Sequence, residues 1–485
     1  MSTSYDLIVI GGGITGLGVA RLAARNGYRC VVLERDDLAA GTSSVSSHML
    51  HGGLRYLEHG RFTLVRESLA ERFAVHRMAP GVTRRCRFLA PVYRGDRVGM
   101  LKLRAGLWLY DRLAGGRRFS PVGMLSQREA LRLEPGLEAH GLRGGGSYTD
   151  VVMDDARLAI AVARDAAAHG AEIRSYTEVT GARPHPGGGI ELLATDRIEG
   201  GEQSVSAPLV VNATGPWADQ VRLMLARALA PGVPDPEPML RPSRGVHLVF
   251  PSLTNGHGLV LTARSDGRVF FVVPFGGASL VGTTEVELPS PAPPEAWRAS
   301  LEEVAYLRSE LRRVLPDAGS TPPIAVLSGV RPLLRSDDEA GNASREHAVV
   351  EEHHVVTVAG GKYTTFRVMA RDVLDHAARR MGRTGRSHID SDEPLPAPIA
   401  QEAGLERVAE FAIEHEFARR LADVLRRRSA LWLAPDRGRV AATTVGAVMA
   451  RRLGWSPERA REEFQAYDAA LWEEETLIQR TQEAW

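Results

Sequence analysis

The sequence has few cysteines, few lysines, almost no net charge and no long apolar run. It has two cysteines, Cys30 and Cys86, so a disulfide framework is not expected and a reducing compartment is favoured. Its formal net charge of +1 argues against a dedicated nucleic-acid binder. No run of about 18 apolar residues occurs and the start has no basic flank, so neither a membrane-spanning segment nor a secretory signal is expected. Of 60 basic residues only Lys102 and Lys362 are lysine, which suggests sites that need a compact ammonium group.

The first 34 residues have the pattern of a βαβ unit. An apolar run at 7–10 is followed by a G-x-G-x-x-G turn, a stretch with helical spacing, and a second apolar run at 30–33. Such glycines let the backbone approach a pyrophosphate, and the helix N-terminus directs N–H groups at it. Glu34 follows the second run, where a carboxylate can accept hydrogen bonds from ribose hydroxyls. The pattern predicts a dinucleotide site at Gly11, Gly13 and Gly16, and it leaves FAD and NAD both open.

Three further segments are predicted to approach the same ligand. Residues 41–60 are rich in serine, threonine and glycine, which suits close contact with a cofactor. The apolar strand predicted at 208–212 enters a second glycine turn at Ala213, Thr214 and Gly215, a late return that is typical of flavoproteins. The segment GGKYTTFR leads into a helix to about residue 380, and the N-terminus of that helix can stabilise negative charge on a reduced flavin.

The pattern between and after these segments alternates between helix and strand. Helices are predicted at 61–80, 154–169 and 302–315. From Gly245 the apolar residues recur with a period of about two, and Gly276–Gly277 is predicted as a hairpin turn. These strands are interpreted as a largely antiparallel sheet inserted into a Rossmann-like domain; they are GVHLVF, GLVLTA, RVFFVVPF, ASLVGTTEV and HAVVEEHHVVTVAGG.

Residues 94–118 have two interpretations. They include seven basic residues against Asp96 and Asp111, and their leucine, tryptophan and tyrosine side chains are predicted to point all round a helix without an apolar stripe. One interpretation is a buried helix with basic ends. The other is a cationic segment that enters the headgroup layer of a membrane.

The remaining residues are predicted to be helical after a polar, proline-rich linker at 383–400. Ser456-Pro457-Glu458 is a typical helix start. In EFARRLADVLRRR the apolar face comprises Phe417, Leu421, Val424 and Leu425, and a solvated outer face is expected for Arg419, Arg420, Arg426 and Arg427.

These patterns predict an α/β chain with three parts. They are a discontinuous Rossmann-like FAD-binding domain, an inserted, mostly antiparallel β-sheet domain on the substrate and membrane side, and an all-α C-terminal domain. The predicted ranges are 1–75, 145–220 and 328–382 for the first part, 76–144 and 221–327 for the second, and 401–485 for the third.

The motifs resemble those of the FAD-dependent glycerol-3-phosphate dehydrogenases, within the amino-acid-oxidase-like flavoproteins. The resemblance covers nearly the whole chain, through GGGITG, TSSVSS, HGGLRYLEHG, YDRL, DDARL, VNATGPWAD, GTTE, GVRPLL, SREH, GGKYTTFR and LADVLRRR. It implies oxidation of sn-glycerol 3-phosphate to dihydroxyacetone phosphate, with hydride passing from C2 to flavin N5 and electrons to a membrane quinone. It also implies a bacterial form, peripheral on the cytoplasmic face of the cell membrane, without a metal and compatible with a homodimer.

The resemblance assigns roles to individual residues. Arg55, Tyr56, Arg331, Arg345 and Lys362 are expected to bind the substrate, whose phosphate dianion needs several convergent cations. One of the histidines His51 and His247 is expected to take the hydroxyl proton, while the other polarises the oxygen with Arg331. His48 and Arg244 stand where the family commonly has lysine. The residues expected at FAD are Gly11, Gly13, Ile14, Thr15, Gly16, Glu34, Arg35, Thr42, Ser43, Ser46, Ser47, Gly52, Gly53, Leu54, Val179, Ala213, Thr214, Gly215, Trp217, Gly361, Lys362, Tyr363 and Thr364.

Three other functions stay open. A glycerol-3-phosphate oxidase would perform the same half-reaction with dioxygen as the acceptor. A related FAD-dependent hydroxy or amino acid oxidoreductase would need one or two arginines for a carboxylate. A non-catalytic flavin or nucleotide sensor would bind FAD that glycerol 3-phosphate fails to bleach.

Overall fold

A computed structural model describes residues 5–290, 292–335, 346–382, 390 and 392–483. The strands are β1 (Leu7–Ile10), β2 (Cys30–Leu33), β3 (Met49–Leu50), β4 (Thr83–Tyr93), β5 (Gly123–Leu125), β6 (Leu142–Met153), β7 (Glu172–Arg174), β8 (Thr177–Pro184), β9 (Ile190–Asp196), β10 (Glu202–Ala207), β11 (Val210–Asn212), β12 (Leu240–Pro251), β13 (Gly258–Thr262), β14 (Val269–Phe275), β15 (Ala278–Gly282), β16 (Val286–Glu287), β17 (Ala325–Leu334), β18 (His347–Glu352) and β19 (Val355–Gly360).

The helices predicted at 61–80, 154–169 and 302–315 are confirmed, with ends within two residues of those bounds, and some others were not predicted. The helices are α1 (Ile14–Arg25), α2 (Phe62–Met78), α3 (Met100–Ala114), α4 (Gln127–Leu133), α5 (Asp155–Ala168), α6 (Ala218–Leu229), α7 (Leu301–Val314), α8 (Phe366–Arg380), α9 (Leu405–His415), α10 (Leu421–Asp423), α11 (Arg439–Leu453) and α12 (Pro457–Glu483). In the described ranges, none of them combines the length and the apolar character needed to span a bilayer.

A six-stranded sheet contains the predicted βαβ unit at its centre. Its order is β18-β19-β11-β1-β2-β7, and every pair is parallel except β18 with β19. Leu7 and Val9 pack in a core with α1, α5 and α8, whereas Ile8 and Ile10 face the antiparallel sheet β10-β9-β8 and α6. Burial on both faces is the reason that β1 is a continuous apolar run.

A ten-stranded sheet forms the second large sheet of the fold. Its main path is β16-β12-β15-β14-β13-β4-β6-β3, with β17 paired to β12 and β5 to β6. The pairs are antiparallel except β13 with β4, and the hairpin turn predicted at Gly276–Gly277 is confirmed between β14 and β15. One face of β12 packs against α7, and the other faces the core that includes α2 and α3.

The segment HAVVEEHHVVTVAGG was wrongly grouped with this inserted sheet. It forms the hairpin β18–β19, and β19 pairs in parallel with β11, which places it in the six-stranded sheet. The reason is that VVTVA is buried throughout, as a strand inside a parallel sheet must be. The turn is made by His353 and His354, both with positive φ.

The domain ranges stay a proposal. The proposed boundaries at residues 145 and 328 fall inside β6 and β17, and β17 pairs with β12 along its whole length.

Helix α3 does have an apolar stripe, contrary to the prediction. Leu103, Leu107 and Tyr110 are buried, whereas Leu101 is 84% exposed and Trp108 is 58% exposed. The sequence pattern concealed the stripe because apolar residues also occupy the outer face.

The arginines of the C-terminal domain are not a solvated face. Arg428 is buried and Arg427 has 14% of its side chain exposed, and both form ion pairs with Asp37, which follows β2. Arg419 pairs with Asp196. A short helical turn, Val424–Arg428, follows α10 and directs these side chains inward. The prediction failed because the partners lie hundreds of residues away in the chain.

Candidate active site

A cavity of about 1680 Å³ lies between the six-stranded sheet and the ten-stranded sheet. Both glycine turns, the segment 41–61, one side of α3, strand β17 and the GGKYTT segment line it. Of the residues expected at FAD, all line the cavity except Gly16 and Gly52. A volume above the usual range for small-molecule pockets, about 300–1000 Å³, suits a large cofactor and a substrate together.

The first glycine turn packs tightly against the second. Gly11 has φ +109°, and a Cβ there would lie 2.6 Å from the carbonyl oxygen of Ala213. A Cβ on Gly16 would lie 2.0 Å from the carbonyl oxygen of Gly11, so Gly16 allows the close packing of α1 on the turn. Gly13 caps α1 without a side-chain hydrogen bond, so no side chain of the cap stands between the helix N-terminus and the cavity.

The carboxylate of Glu34 is held at the end of β2. Gly12 N–H donates to Oε2 at 2.6 Å, and Asp36 N–H donates to Oε1 at 2.8 Å. Burial raises the pKa of Glu34, which these two backbone donors oppose. Since a carboxylate has about four lone-pair sites, it can still accept from ribose hydroxyls.

The serine-rich segment is tied to the glycine turn and to its neighbours. Ser43 Oγ accepts from Ile14 N–H at 3.0 Å, in the first turn of α1. Ser46 N–H donates to Asp155 Oδ2 at 3.0 Å, and Thr42 Oγ1 donates to the carbonyl oxygen of Val330 at 2.6 Å. This segment therefore joins helices α1 and α5 to β17 along the cavity wall.

Three of the cations expected to bind the substrate line the cavity: Arg55, Arg331 and Lys362. Tyr56 lies beside two of them, with its ring centroid 4.3 Å from Lys362 Nζ and 5.1 Å from Arg55 Cζ. Lys362 Nζ also donates to Ser68 Oγ at 3.1 Å. Arg331, the third, lines the cavity from β17. Arg345 lies outside the described residues.

Arg331 is positioned by the neighbouring strands. Its Nη2 donates to Thr283 Oγ1 at 2.6 Å, and its guanidinium lies flat against Gly245, where a Cβ would be 2.0 Å from Nη2. Gly245 is thus the residue that leaves room for the side chain.

His247 is buried beside the cofactor segment. It is 3% exposed, and its Nε2 lies 3.1 Å from Ser47 Oγ. Its Nδ1 has no hydrogen-bond partner within the described part of the chain. Burial, then the charges of Arg331 and His48, hold the pKa of His247 well below its usual value, so the imidazole is neutral at pH 7. His51 also lines the cavity.

The two residues that stand in place of family lysines are outside the cavity lining. The ring of His48 is buried against Phe275, with centroids 4.1 Å apart. Arg244 forms a buried ion pair with Glu303 at 2.7 Å. Both side chains therefore serve the packing around the site.

The family of the chain follows from comparison with known proteins. The family model described as FAD dependent oxidoreductase matches residues 6–371, and the C-terminal domain of alpha-glycerophosphate oxidase matches residues 389–460. A glycerol-3-phosphate dehydrogenase of Mycobacterium leprae is 34% identical, over 98% of this chain and 89% of that protein. The chain belongs to the FAD-dependent glycerol-3-phosphate dehydrogenase family. The resemblance inferred from the motifs, the fold class and FAD as the cofactor are thereby confirmed.

Solved structures share the fold of this family member. A glycerol-3-phosphate dehydrogenase from Bacillus halodurans complexed with FAD has a TM-score of 0.73 at 22% identity, covering 97% of this chain and 95% of that one. An L-alpha-glycerophosphate oxidase from Mycoplasma pneumoniae with FAD bound has a TM-score of 0.60 at 17% identity, covering 81% of this chain and 99% of that one.

The residues present fit FAD. The cavity is lined by the two glycine turns and by the N-terminus of α1, and a Cβ on Gly11 of the first turn would lie 2.6 Å from the carbonyl oxygen of Ala213. Gly11, Gly13 and Glu34 would hold the pyrophosphate and ribose, and the GGKYTT segment would face the flavin ring.

Sequence reasoning missed several supporting residues. Thr283 positions Arg331, Ser68 accepts from Lys362, and Trp297 stacks on Trp217 with ring centroids 4.3 Å apart. The GTTE motif was a signal for Thr283, because hydroxyls at the end of an apolar strand suggest a site. Ser68 and Trp297 lie in ordinary helical and loop sequence, without such a signal.

Proposed function

We propose that this protein oxidises sn-glycerol 3-phosphate to dihydroxyacetone phosphate with FAD. The observation that supports the proposal most strongly is that Arg55, Arg331 and Lys362 line the same cavity as the two glycine turns. A phosphate dianion is best bound by arginine forks together with a lysine point charge. A carboxylate substrate would need fewer positive groups.

In the proposed reaction the C2 carbinol becomes a ketone. FAD, when bound, supplies the acceptor for the hydride that leaves C2. The hydroxyl proton passes to His51, since the low pKa of His247 makes it a weak base and a good base needs a pKa near the working pH. Neutral His247, with Arg331, orients and polarises the oxygen.

The proposed electron acceptor is a membrane quinone. The outer face of α3 exposes Leu101 and Trp108 beside Arg104, while Leu103 and Leu109 of the same helix line the cavity. An apolar face with basic neighbours suits the headgroup layer of an anionic membrane. We therefore propose peripheral attachment to the cytoplasmic face of the cell membrane through α3. The homodimer remains a prediction.

Dioxygen is the second candidate acceptor. It is favoured by the match of residues 389–460 to the C-terminal domain of an alpha-glycerophosphate oxidase. The two candidates share the substrate half-reaction and differ only in how the reduced enzyme is reoxidised.

The test is anaerobic titration of the purified FAD enzyme with glycerol 3-phosphate, followed by flavin absorbance. We expect bleaching with glycerol 3-phosphate and none with glycerol, because glycerol lacks the phosphate. Reoxidation is then timed with a short-chain quinone and, separately, with dioxygen. Flavin that stays oxidised with glycerol 3-phosphate would exclude the proposed substrate, and rapid peroxide formation without a quinone would replace the dehydrogenase assignment by the oxidase.

A further inference from the structure

A buried cluster of two arginines and two aspartates joins the C-terminal helical domain to the loop after β2. Arg428, which is 0% exposed, donates to both carboxylate oxygens of Asp37, with Nη2 2.7 Å from Oδ1. Arg427 also donates to Asp37, and its Nη2 lies 3.0 Å from Asp423 Oδ1. The arginines follow Asp37 by 390 and 391 residues, so the cluster connects two distant parts of the chain.

The loop that contains Asp37 also contains the groups that face the cofactor. Directly before Asp37, Asp36 N–H donates to Glu34 Oε1 at 2.8 Å. Two residues after Asp37, Ala39 N–H donates to the carbonyl oxygen of Gly12 at 2.9 Å. The loop therefore supports both the carboxylate expected at the ribose and the first glycine turn.

The chemistry of the cluster suits the fixing of an orientation. A two-pronged contact between guanidinium and carboxylate sets the direction of the carboxylate as well as its distance. Two positive and two negative groups balance each other, and ion pairs this deeply buried are little screened by salt. Asp37 is therefore held in one orientation by side chains of another domain.

We propose that Arg427 and Arg428 are positioning residues for FAD. By holding Asp37 they keep the loop 34–39 in the shape that binds the cofactor, so the helical domain determines the affinity for FAD from outside the cavity. Neither arginine is among the cavity-lining residues. The inference concerns the cofactor alone, so it stands whichever substrate the enzyme oxidises.

The test compares Arg428→Met with Glu416→Gln as a matched control. Glu416 lies in the same helical domain and forms a buried two-pronged ion pair with Arg157, at 2.7 Å for both contacts. Its replacement weakens the same domain interface without removing any contact to Asp37. The backbone carbonyl oxygen of Glu416, which accepts from Arg428 Nη2 at 2.7 Å, is unchanged by the substitution. Each protein is stripped of flavin and titrated with FAD, and binding is followed by the quenching of flavin fluorescence.

We expect the Kd for FAD to rise about tenfold in Arg428→Met, equal to about 1.4 kcal/mol, because FAD binding must then also order the loop. Glu416→Gln should stay within about twofold of wild type. Hydrogen exchange gives a second readout: the amides of Asp36 and Ala39 should exchange faster in flavin-free Arg428→Met than in the control, and FAD should restore their protection.

Arg428→Lys covers the case in which the methionine variant does not fold. It keeps the charge but loses the two-pronged contact, and its Kd should lie between those of wild type and Arg428→Met. A folded variant at Arg428 with wild-type FAD affinity would overturn the proposal. So would an equal loss of affinity in Glu416→Gln, since that would assign the effect to the interface as a whole.

Discussion

Gly245→Ala tests the role of Arg331 without removing its guanidinium. The added Cβ would lie 2.0 Å from Nη2, and ordinary contact begins at 3.4 Å, so the guanidinium must move by about 1.4 Å. A displacement of about 1 Å in a positioning group can cost up to about 100-fold in rate. A lost hydrogen bond to a charged group costs about 1.5–3 kcal/mol, which is about 10- to 160-fold in kcat/KM. We therefore expect kcat/KM for glycerol 3-phosphate to fall about 10- to 100-fold.

The fold should tolerate this change. The atoms in the way form the end of a flexible side chain, so the cost in unfolding free energy should be about 1 kcal/mol, at the low end for overpacking. Turnover is measured with an artificial dye acceptor, at equal FAD content, and stability by thermal unfolding.

The refuting result comes from a double-mutant cycle with Arg331→Met. If the alanine acts through Arg331, adding Gly245→Ala to Arg331→Met should change kcat/KM by less than about twofold. Two effects that multiply in the double variant would show that Gly245 acts by another route, and the assignment of Arg331 to the substrate would lose this support.

Three further predictions address other parts of the molecule. Because His247 has a pKa well below 6.5 in the folded protein, the unfolded chain binds more protons below about pH 6.5, and stability falls with falling pH by up to about 1.4 kcal/mol per pH unit. His247→Gln should reduce this slope when the free energy of chemical unfolding is measured at pH 5–7. An unchanged slope would contradict a buried, neutral imidazole. Burial raises the pKa of the Cys30 thiol to about 12 and also raises that of Cys86. Neither thiol should therefore react with a thiol reagent at pH 8 until the protein is denatured. Rapid labelling of the native protein would contradict the burial of these thiols. The double variant Leu101→Ser with Trp108→Ser should abolish sedimentation with anionic vesicles. Lys102→Glu alone should weaken it less, because Lys102 already pairs with Glu58 at 3.0 Å. Equal binding by all the variants would exclude α3 as the attachment site.

Local patterns predicted the cofactor half of the fold well. The βαβ unit depends on residues that are neighbours in the chain, and the glycines of its turn are required by contacts within the unit, such as Gly16 against Gly11. The second turn at Ala213 was found for the same reason, because an apolar strand runs directly into it.

Properties that depend on distant partners could not be predicted. The burial of Arg427 and Arg428 depends on Asp37, and the sheet to which β19 belongs depends on a parallel partner about 145 residues earlier, Val210 opposite Val355. The stripe on α3 was concealed because Leu101 and Trp108 are apolar but exposed. In the site, the motifs located Arg331, but the space made for it by Gly245 on the neighbouring strand required the structure.

The order of strands in the six-stranded sheet has a consequence for biosynthesis. Strand β1 is among the first residues to leave the ribosome, but β19, which completes the parallel core, begins at Val355. At about 5–20 residues per second, roughly 20 to 70 s pass between the synthesis of the first glycine turn and that of β19 and α8, which close the pocket. Binding of FAD is therefore a late event of synthesis, and a shortage of FAD should leave the finished chain without its cofactor.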